Sequence, residues 1–150
     1  MFFVSFRYLK NEEAAKDTMQ EAFLKAFLNL EAYKENIRFG SWLKKIVINT
    51  CIDALRKKNL TTVSIENDLI EIIDDEDWSC QVEISKEQII AAIETLKIKY
   101  QLVLKLYLIE GYDHSEISEI LEIPIKISRT QLRRGKSALQ KILKAQKYGT

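Results

Sequence analysis

The segment EGYDHSEISEILEIPIKISRTQLRRGKSALQKILKA, residues 110–145, holds two short helical patterns joined by a tight turn at Leu121–Pro124. From Lys126 to the end of the chain stand eight Lys/Arg and no carboxylate. A short helix, a tight turn and a longer helix with a basic face is how a helix-turn-helix offers a recognition helix to an acidic polymer. A solvated cationic helix would carry the same charge. The capped short helix and the turn ahead of it favour DNA.

The longer pattern divides cleanly. Ser128, Leu132, Gly135, Leu139, Ile142 and Leu143 recur at steps of three and four and predict an inner side. Lys126, Thr130, Arg133, Arg134, Ser137 and Lys141 fall opposite. Base edges meet the N-terminal part of a recognition helix, so Lys126, Ile127, Arg129, Thr130 and Arg133 are its candidate readers. Arg134, Lys136 and Lys141 follow as candidate phosphate contacts. Ile127 projects outward, where it suits a thymine methyl group. Gly135 costs about 1 kcal/mol against Ala in a helix, a cost that close packing would offset. Before the turn, Asp113 and Glu116 form a capping-box-like start. Pro124 suits the first turn of the helix that follows.

The net charge of +1 looks wrong for a DNA-binding protein. Its distribution reverses that impression. Residues 1–58 hold eleven Lys/Arg against seven Asp/Glu, residues 59–84 none against eight, and residues 85–150 twelve against seven. The pattern predicts an all-α chain of two small basic domains, 1–58 and 85–150, with an acidic linker over 59–84. Its roughly 25 residues could span about 80 Å when extended. One Pro and four Gly in 150 residues agree with a helical chain. No run of eighteen apolar residues predicts a membrane span. MFFVSFRYLK lacks the basic start and cleavage site of a signal peptide. Cys51 and Cys80 are too few for a disulfide framework, so free thiols in a cytoplasmic protein are expected.

Within the first domain, Asn11 is a candidate N-cap, with Glu12 and Glu13 in the first turn. Ala15, Met19, Ala22, Phe23, Ala26, Phe27 and Leu30 then recur at helical spacing and predict a buried stripe. Asp17, Gln20, Glu21 and Leu24 share the opposite, exposed side. Most acidic helix faces are merely wet, but Leu24 and Leu28 tilt this one toward a protein interface. After the loop AYKENIRFG, Ser41 is a candidate cap for WLKKIVINTCIDALRKK. Its inner face would be Leu43, Val47, Cys51, Ala54 and Leu55. Lys45, Asn49, Asp53 and Arg56 fall outside, with Trp42 at the head. The loop 33–39 mixes aromatics, amides and charges, a combination that meets both the π-face and the polar edge of an unstacked base. Tyr33, Asn36, Arg38 and Phe39 are its candidate contacts. An ordinary solvated loop and helix face would also fit these residues.

In the second domain, Ile89, Ile90, Ile93 and Leu96, then Val103, Leu104, Tyr107 and Leu108, continue helix to Gly111, a candidate C′ glycine. Chemistry is scarce throughout. Asp17 and Glu21 stand one turn apart without a His or Ser partner, and no glycine-rich phosphate loop occurs. His114, the one histidine, suits a surface or packing role at a helix start. No catalytic residue, metal site, cofactor or small-molecule substrate is expected.

Together these pieces resemble the extracytoplasmic-function branch of bacterial sigma factors over nearly the whole chain. AAKDTMQEAFLKAFLNL resembles the family's polymerase-binding helix at Asp17, Gln20, Glu21, Phe23 and Leu24. FGSWLKKIVINTCIDALRKK is similar to its promoter-melting and −10 recognition helix at Phe39, Trp42, Leu43, Ile46, Asn49, Asp53 and Arg56. The C-terminal segment is similar to the −35-binding domain at Glu110, Gly111, Tyr112, Glu116, Ile117, Arg134 and Leu139. The resemblance implies a non-enzymatic subunit that binds core RNA polymerase, places it on promoter DNA and helps open the duplex. Residues 33–39 would then capture an unstacked −10 base, while Lys45, Asn49 and Arg56 contact the strand around it. The family commonly pairs with an anti-sigma factor as well.

Three departures from the family pattern stand out. The family has about one more helix before the position of Met1, so Phe2, Phe3, Phe6 and Tyr8 are expected to begin mid-helix. Glu122 replaces the turn glycine, which predicts a strained or reshaped turn. Ile127-Ser128 and Thr130-Gln131 replace the usual Thr-Val and Ser-Arg; a Thr-Ser variant of that site is familiar from Bacteroidetes-type members, so the resemblance implies such a lineage. Two other readings use the same features: a conventional helix-turn-helix regulator with an N-terminal dimerisation module, and a sigma-like interaction protein without promoter activity.

Overall fold

A computed structural model describes residues 1–58 and 84–148. The described residues form helices and turns, with no strand. The chain divides into two compact units, Met1–Glu66 and Asn67–Thr150. Apart from Ile84, the acidic 59–84 stretch lies outside the described residues, and so does Cys80.

Among the described residues, three α-helices build the first unit, α1 (Phe2–Leu9), α2 (Glu12–Leu28) and α3 (Phe39–Lys58), with a 3-10 turn, Leu30–Ala32, after α2. A single left-handed residue, Lys10 at φ 55°, reverses the chain between α1 and α2. Asn11 caps α2 as expected, its side chain accepting from the Ala14 amide at 3.0 Å. The three helices pack on one another along a seam of mainly small side chains. Ala15, Thr18, Ala22 and Ala26 are buried on α2, against Val47, Ile48, Thr50, Cys51 and Ile52 on α3. Ser5 of α1 donates to the Ala15 carbonyl at 3.1 Å and lies 3.3 Å from the Cys51 sulfur. Burial pushes the Cys51 thiol upward, which keeps it protonated and unreactive.

This seam corrects the expected faces. Phe23, Phe27 and Leu30 are exposed rather than inward, Phe27 by 75%. Close approach of three helices selects the stripe of small residues, and the aromatics one step around the helix are turned out. Leu43, Ala54 and Leu55 are only half-buried, because α3 turns Ile48 and Ile52 inward beside Val47 and Cys51. Ser41 does not cap α3, which already begins at Phe39.

The second unit contains α4 (Lys86–Glu94), α5 (Ile98–Leu104), α6 (His114–Leu121) and α7 (Ile125–Tyr148). The periodic stretch before Gly111 is broken between α4 and α5. Ser85 and Gln88 close a capping box at the start of α4. Its end is held by the Gln101 side-chain amide, which donates to the carbonyls of Glu94 at 3.0 Å and Leu96 at 2.7 Å. A π-helical turn, Lys105–Ile109, continues α5. Gly111 then takes φ +78°, as its expected place after a helix requires. Tyr100, Val103, Leu104 and Leu106 form the core with Ala92, Ile93, Ile117, Ile120, Leu132 and Leu139.

Candidate nucleic-acid interface

The turn between α6 and α7 is fixed by local chemistry. Asp113 and Glu116 complete the expected capping box at the start of α6. Glu122 stands in the left-handed region at φ 54°, ψ 46°, where its side chain is strained and glycine would not be. The chain bends back there, and the Ser118 hydroxyl donates to the Ile123 carbonyl at 2.5 Å. Pro124 lies just before α7 rather than inside its first turn, its carbonyl accepting from the amides of Ile127 and Ser128.

On α7, Ser128, Leu132, Gly135 and Leu139 are buried as expected, while Ile142 and Leu143 are half-buried. Lys126, Ile127, Arg129, Arg133 and Lys141 are exposed, and Ile127 does project outward. Thr130 is half-buried, and its hydroxyl donates to the Lys126 carbonyl at 2.9 Å. Its methyl group and oxygen lone pairs are what remain for a base. Ser137 departs from the expected outer side and is buried, because α7 packs against both α5 and α6 and so covers more than one stripe. Arg134 is half-buried, with its Nε enclosed and without a hydrogen-bond partner among the described residues. Lys136 is half-buried, with its ammonium 5.6 Å from the centre of the Tyr107 ring.

Sequence spacing holds no sign of one cluster. The π-helical turn brings Tyr107 against His114 at 5.2 Å, nearly parallel, and His114 Nδ1 lies 2.9 Å from Ser128 Oγ. Burial, with Arg129 next and Lys136 adding to it against the opposing Asp113, holds the imidazole below its ordinary titration range. The packing role expected of His114 is therefore a specific one, joining the two helices of the motif. Only its uniqueness as a histidine could have drawn attention to it.

In the first unit, Tyr33, Phe39 and Trp42 meet as a three-ring cluster. Centroid distances are 5.5 Å for Tyr33–Phe39, 5.2 Å for Tyr33–Trp42 and 5.7 Å for Phe39–Trp42. The Tyr33 hydroxyl donates to the Ile37 carbonyl at 2.6 Å and closes the loop over its own residues. Asn36, Arg38 and Phe39 are exposed around it. Along α3, Lys45, Asn49 and Arg56 are half-buried, with Arg56 3.7 Å from Asp53. On α2, Asp17, Gln20, Glu21 and Leu24 form one exposed face as expected, with Leu24 59% and Leu28 71% exposed. Glu21 is bridged to Lys25 at 3.3 Å along the helix.

Residues 2–61 match the family model for Sigma-70 region 2, and residues 86–139 match that for Sigma-70, region 4. The ECF RNA polymerase sigma factor SigW of Bacillus subtilis (strain 168) is 34% identical over 157 residues, covering 93% of this chain and 80% of SigW. The chain belongs to the extracytoplasmic-function sigma factors.

The ECF RNA polymerase sigma-E factor of Escherichia coli (strain K12) is 26% identical over 134 residues, 82% of this chain and 70% of that protein. Among solved structures, the sigma factor RpoE of Bartonella quintana, in complex with the anti-sigma factor NepR, has a TM-score of 0.63 at 18% identity. That match covers 95% of this chain and 89% of RpoE. CnrH, in complex with the cytosolic domain of CnrY, has a TM-score of 0.57 at 18% identity, covering 95% and 79%. At that identity the two structures speak for the fold. As a sigma factor the chain is a transcription initiation factor, with RNA polymerase and promoter DNA as its partners. Among the described residues, no helix is long and apolar enough to cross a membrane.

Proposed function

We propose that the chain directs core RNA polymerase to promoters through three surfaces, each doing one step. The exposed Asp17, Gln20, Glu21 and Leu24 face of α2 binds the polymerase. The aromatic cluster of Tyr33, Phe39 and Trp42, with Asn36, Arg38, Lys45, Asn49 and Arg56, captures and holds the opened −10 strand. The α6–α7 motif grips the −35 element through Lys126, Ile127, Arg129, Thr130, Arg133, Arg134, Lys136 and Lys141. The observation that carries this reading is the order of the two family regions along one chain, each with its own candidate surface.

Physical chemistry supports the division. A leucine 59% exposed beside acidic and amide side chains suits a protein partner, since association removes its apolar surface from water. Three contacting rings at a loop suit a splayed base, because stacking is tolerant of sequence and the loop's polar groups read an edge. A basic helix after a tight turn suits duplex DNA. The acidic 59–84 stretch would act as the linker between the two domains, repelled by promoter DNA. The two promoter elements lie roughly 60–70 Å apart along the duplex axis, within the linker's extended reach of about 80 Å.

Since polymerase and promoter share the cytoplasm, we assign the protein to that compartment. The recognition-helix residues Ile127, Ser128, Thr130 and Gln131 support a Bacteroidetes-like subgroup. An anti-sigma factor is a further partner, supported by the structural neighbour RpoE, which was solved in complex with the anti-sigma factor NepR.

Pull-down with core polymerase followed by run-off transcription tests the reading. The wild-type chain should bind core and produce promoter-dependent transcripts. Leu24→Asp should keep the helical content of the fold yet lose most core binding and nearly all transcripts. Tight sequence-specific footprints by the protein alone, without any core binding, would instead favour a conventional helix-turn-helix regulator.

A further inference from the structure

His114 opens α6, yet much of what surrounds it belongs to the recognition helix. Its Nδ1 is engaged with the buried Ser128 hydroxyl at 2.9 Å. One face of the ring is covered by Tyr107, which also takes the Lys136 ammonium. Arg129 and Lys136 approach from α7, and Asp113 from the turn before α6. Nε2 makes no hydrogen bond among the described residues, and the ring is half-buried rather than enclosed.

We propose that His114 is a further DNA-backbone contact of the −35 module, one that gains a proton when a phosphate docks beside Arg129 and Lys136. The geometry carries the argument. With Nδ1 tied to Ser128 and one face against Tyr107, the imidazole can offer only Nε2, and offer it in a fixed direction. A phosphate drawn in by Arg129 and Lys136 supplies the missing acceptor. It also offsets the positive field that those two side chains impose on the ring.

The direction of titration agrees. In the free protein, burial, then Arg129 and, less strongly, Lys136 hold the imidazole below its ordinary range, so it is neutral near pH 7. Bound phosphate acts the opposite way and favours the charged form. Protons are therefore taken up on binding, and affinity must rise as pH falls toward and below the ordinary histidine value. The inference rests on the reading of α6–α7 as the −35 grip.

The test is promoter binding by reconstituted holoenzyme, using the full chain, on fragments with an intact or a scrambled −35 element. Between about pH 8 and about pH 6 at constant salt, affinity for the intact element should tighten by about threefold or more. The dependence on log salt should also steepen at the lower pH, by up to about 0.9 for the added cation. H114F keeps a ring for Tyr107, and H114Q keeps a hydrogen-bonding group for Ser128. Both should remove the pH-dependent part that is specific to the intact element. If both bind the intact element and retain the wild-type pH dependence, the inference is overturned. If scrambling the element makes no difference to binding at any pH, the −35 reading itself fails.

Discussion

Gly135 lies against Leu104 so closely that a Cβ on the glycine would stand 3.2 Å from both Cγ and Cδ1 of the leucine. The same Cβ would lie 3.4 Å from Cβ of Tyr100. A glycine in the middle of α7 is thus a packing device. It lets α7 approach α5 closely enough to bury Leu104 fully.

This close approach decides the sign of a substitution. Gly135→Ala recovers about 1 kcal/mol of helix propensity. Against it, Leu104 is fully enclosed and has little room to retreat, and overpacking a core costs about 1–3 kcal/mol. We expect Gly135→Ala to lower stability by up to about 2 kcal/mol, and Gly135→Val to lower it further. Urea unfolding of the full chain, followed through the transition of the second unit, measures both. A stabilised alanine variant would mean that the helices separate readily.

Glu122 offers the opposite case. A left-handed conformation costs a residue with a side chain roughly 1–2 kcal/mol. Glycine there gives back about 0.4–1 kcal/mol through the greater freedom of the unfolded chain. The balance leaves Glu122→Gly more stable by about 0.5–1 kcal/mol. Thermal unfolding should show a rise of a few degrees, with the helical signal otherwise unchanged. A fall would show that the Glu122 side chain contributes more than its backbone loses.

How much of the fold is legible in the sequence follows from how local each cause is. Asn11, Asp113, Glu116 and Gly111 are readable, since a cap or a positive φ is decided within a few residues. Glu122 is readable as a misfit for the same reason. The buried stripe of α2 is readable only in part: Ala15, Ala22 and Ala26 are buried as expected, whereas Phe23, Phe27 and Leu30 are not. Phe23 and Ala22 are neighbours in sequence, and which of them faces inward depends on how closely α1 and α3 approach. The π-helical turn is equally hidden, because the usual helical period places Tyr107 and His114 without reference to one another. Lys105 goes further against expectation, being 2% exposed although a lysine. At the candidate nucleic-acid surfaces, spacing finds the exposed basic residues of α7. It cannot show that Ser137 is buried or that the Thr130 hydroxyl is already bonded to Lys126.

Tyr112 gives a pH test at the alkaline end. Burial, with Glu110 and Glu116 adding to it, pushes its phenol up to about 12 from an ordinary value near 10. The folded state therefore holds this proton more tightly than the unfolded state does. The contribution is fully present below about pH 10 and is lost as pH rises through the folded value. Wild-type stability should decline across that window, and Tyr112→Phe should decline less steeply. Unfolding at a series of alkaline pH values reads the difference, with tyrosinate absorbance reporting the charge of the phenol. Equal slopes in the two proteins would remove Tyr112 as the cause.

The adjacent Arg133 and Arg134 should separate binding from folding. Arg133 is exposed on α7, as is Lys126, whereas the Nε of Arg134 is enclosed. Removing a side chain that pairs with a phosphate should flatten the dependence of log affinity on log salt by about 0.9 for duplex DNA. Lys126→Ala and Arg133→Ala should each weaken holoenzyme binding to the −35 element. A smaller salt slope identifies a phosphate-binding residue, whereas relaxed sequence preference at one base pair identifies a base reader. Arg134→Ala should flatten the slope as well, and should also lower the unfolding midpoint because its half-buried side chain fills space beside the core. Salt titrations and unfolding curves on the same three variants decide the matter. An Arg134→Ala protein of wild-type stability and reduced slope would make that residue a DNA contact alone, and one of lowered stability and unchanged slope would remove it from the DNA contacts.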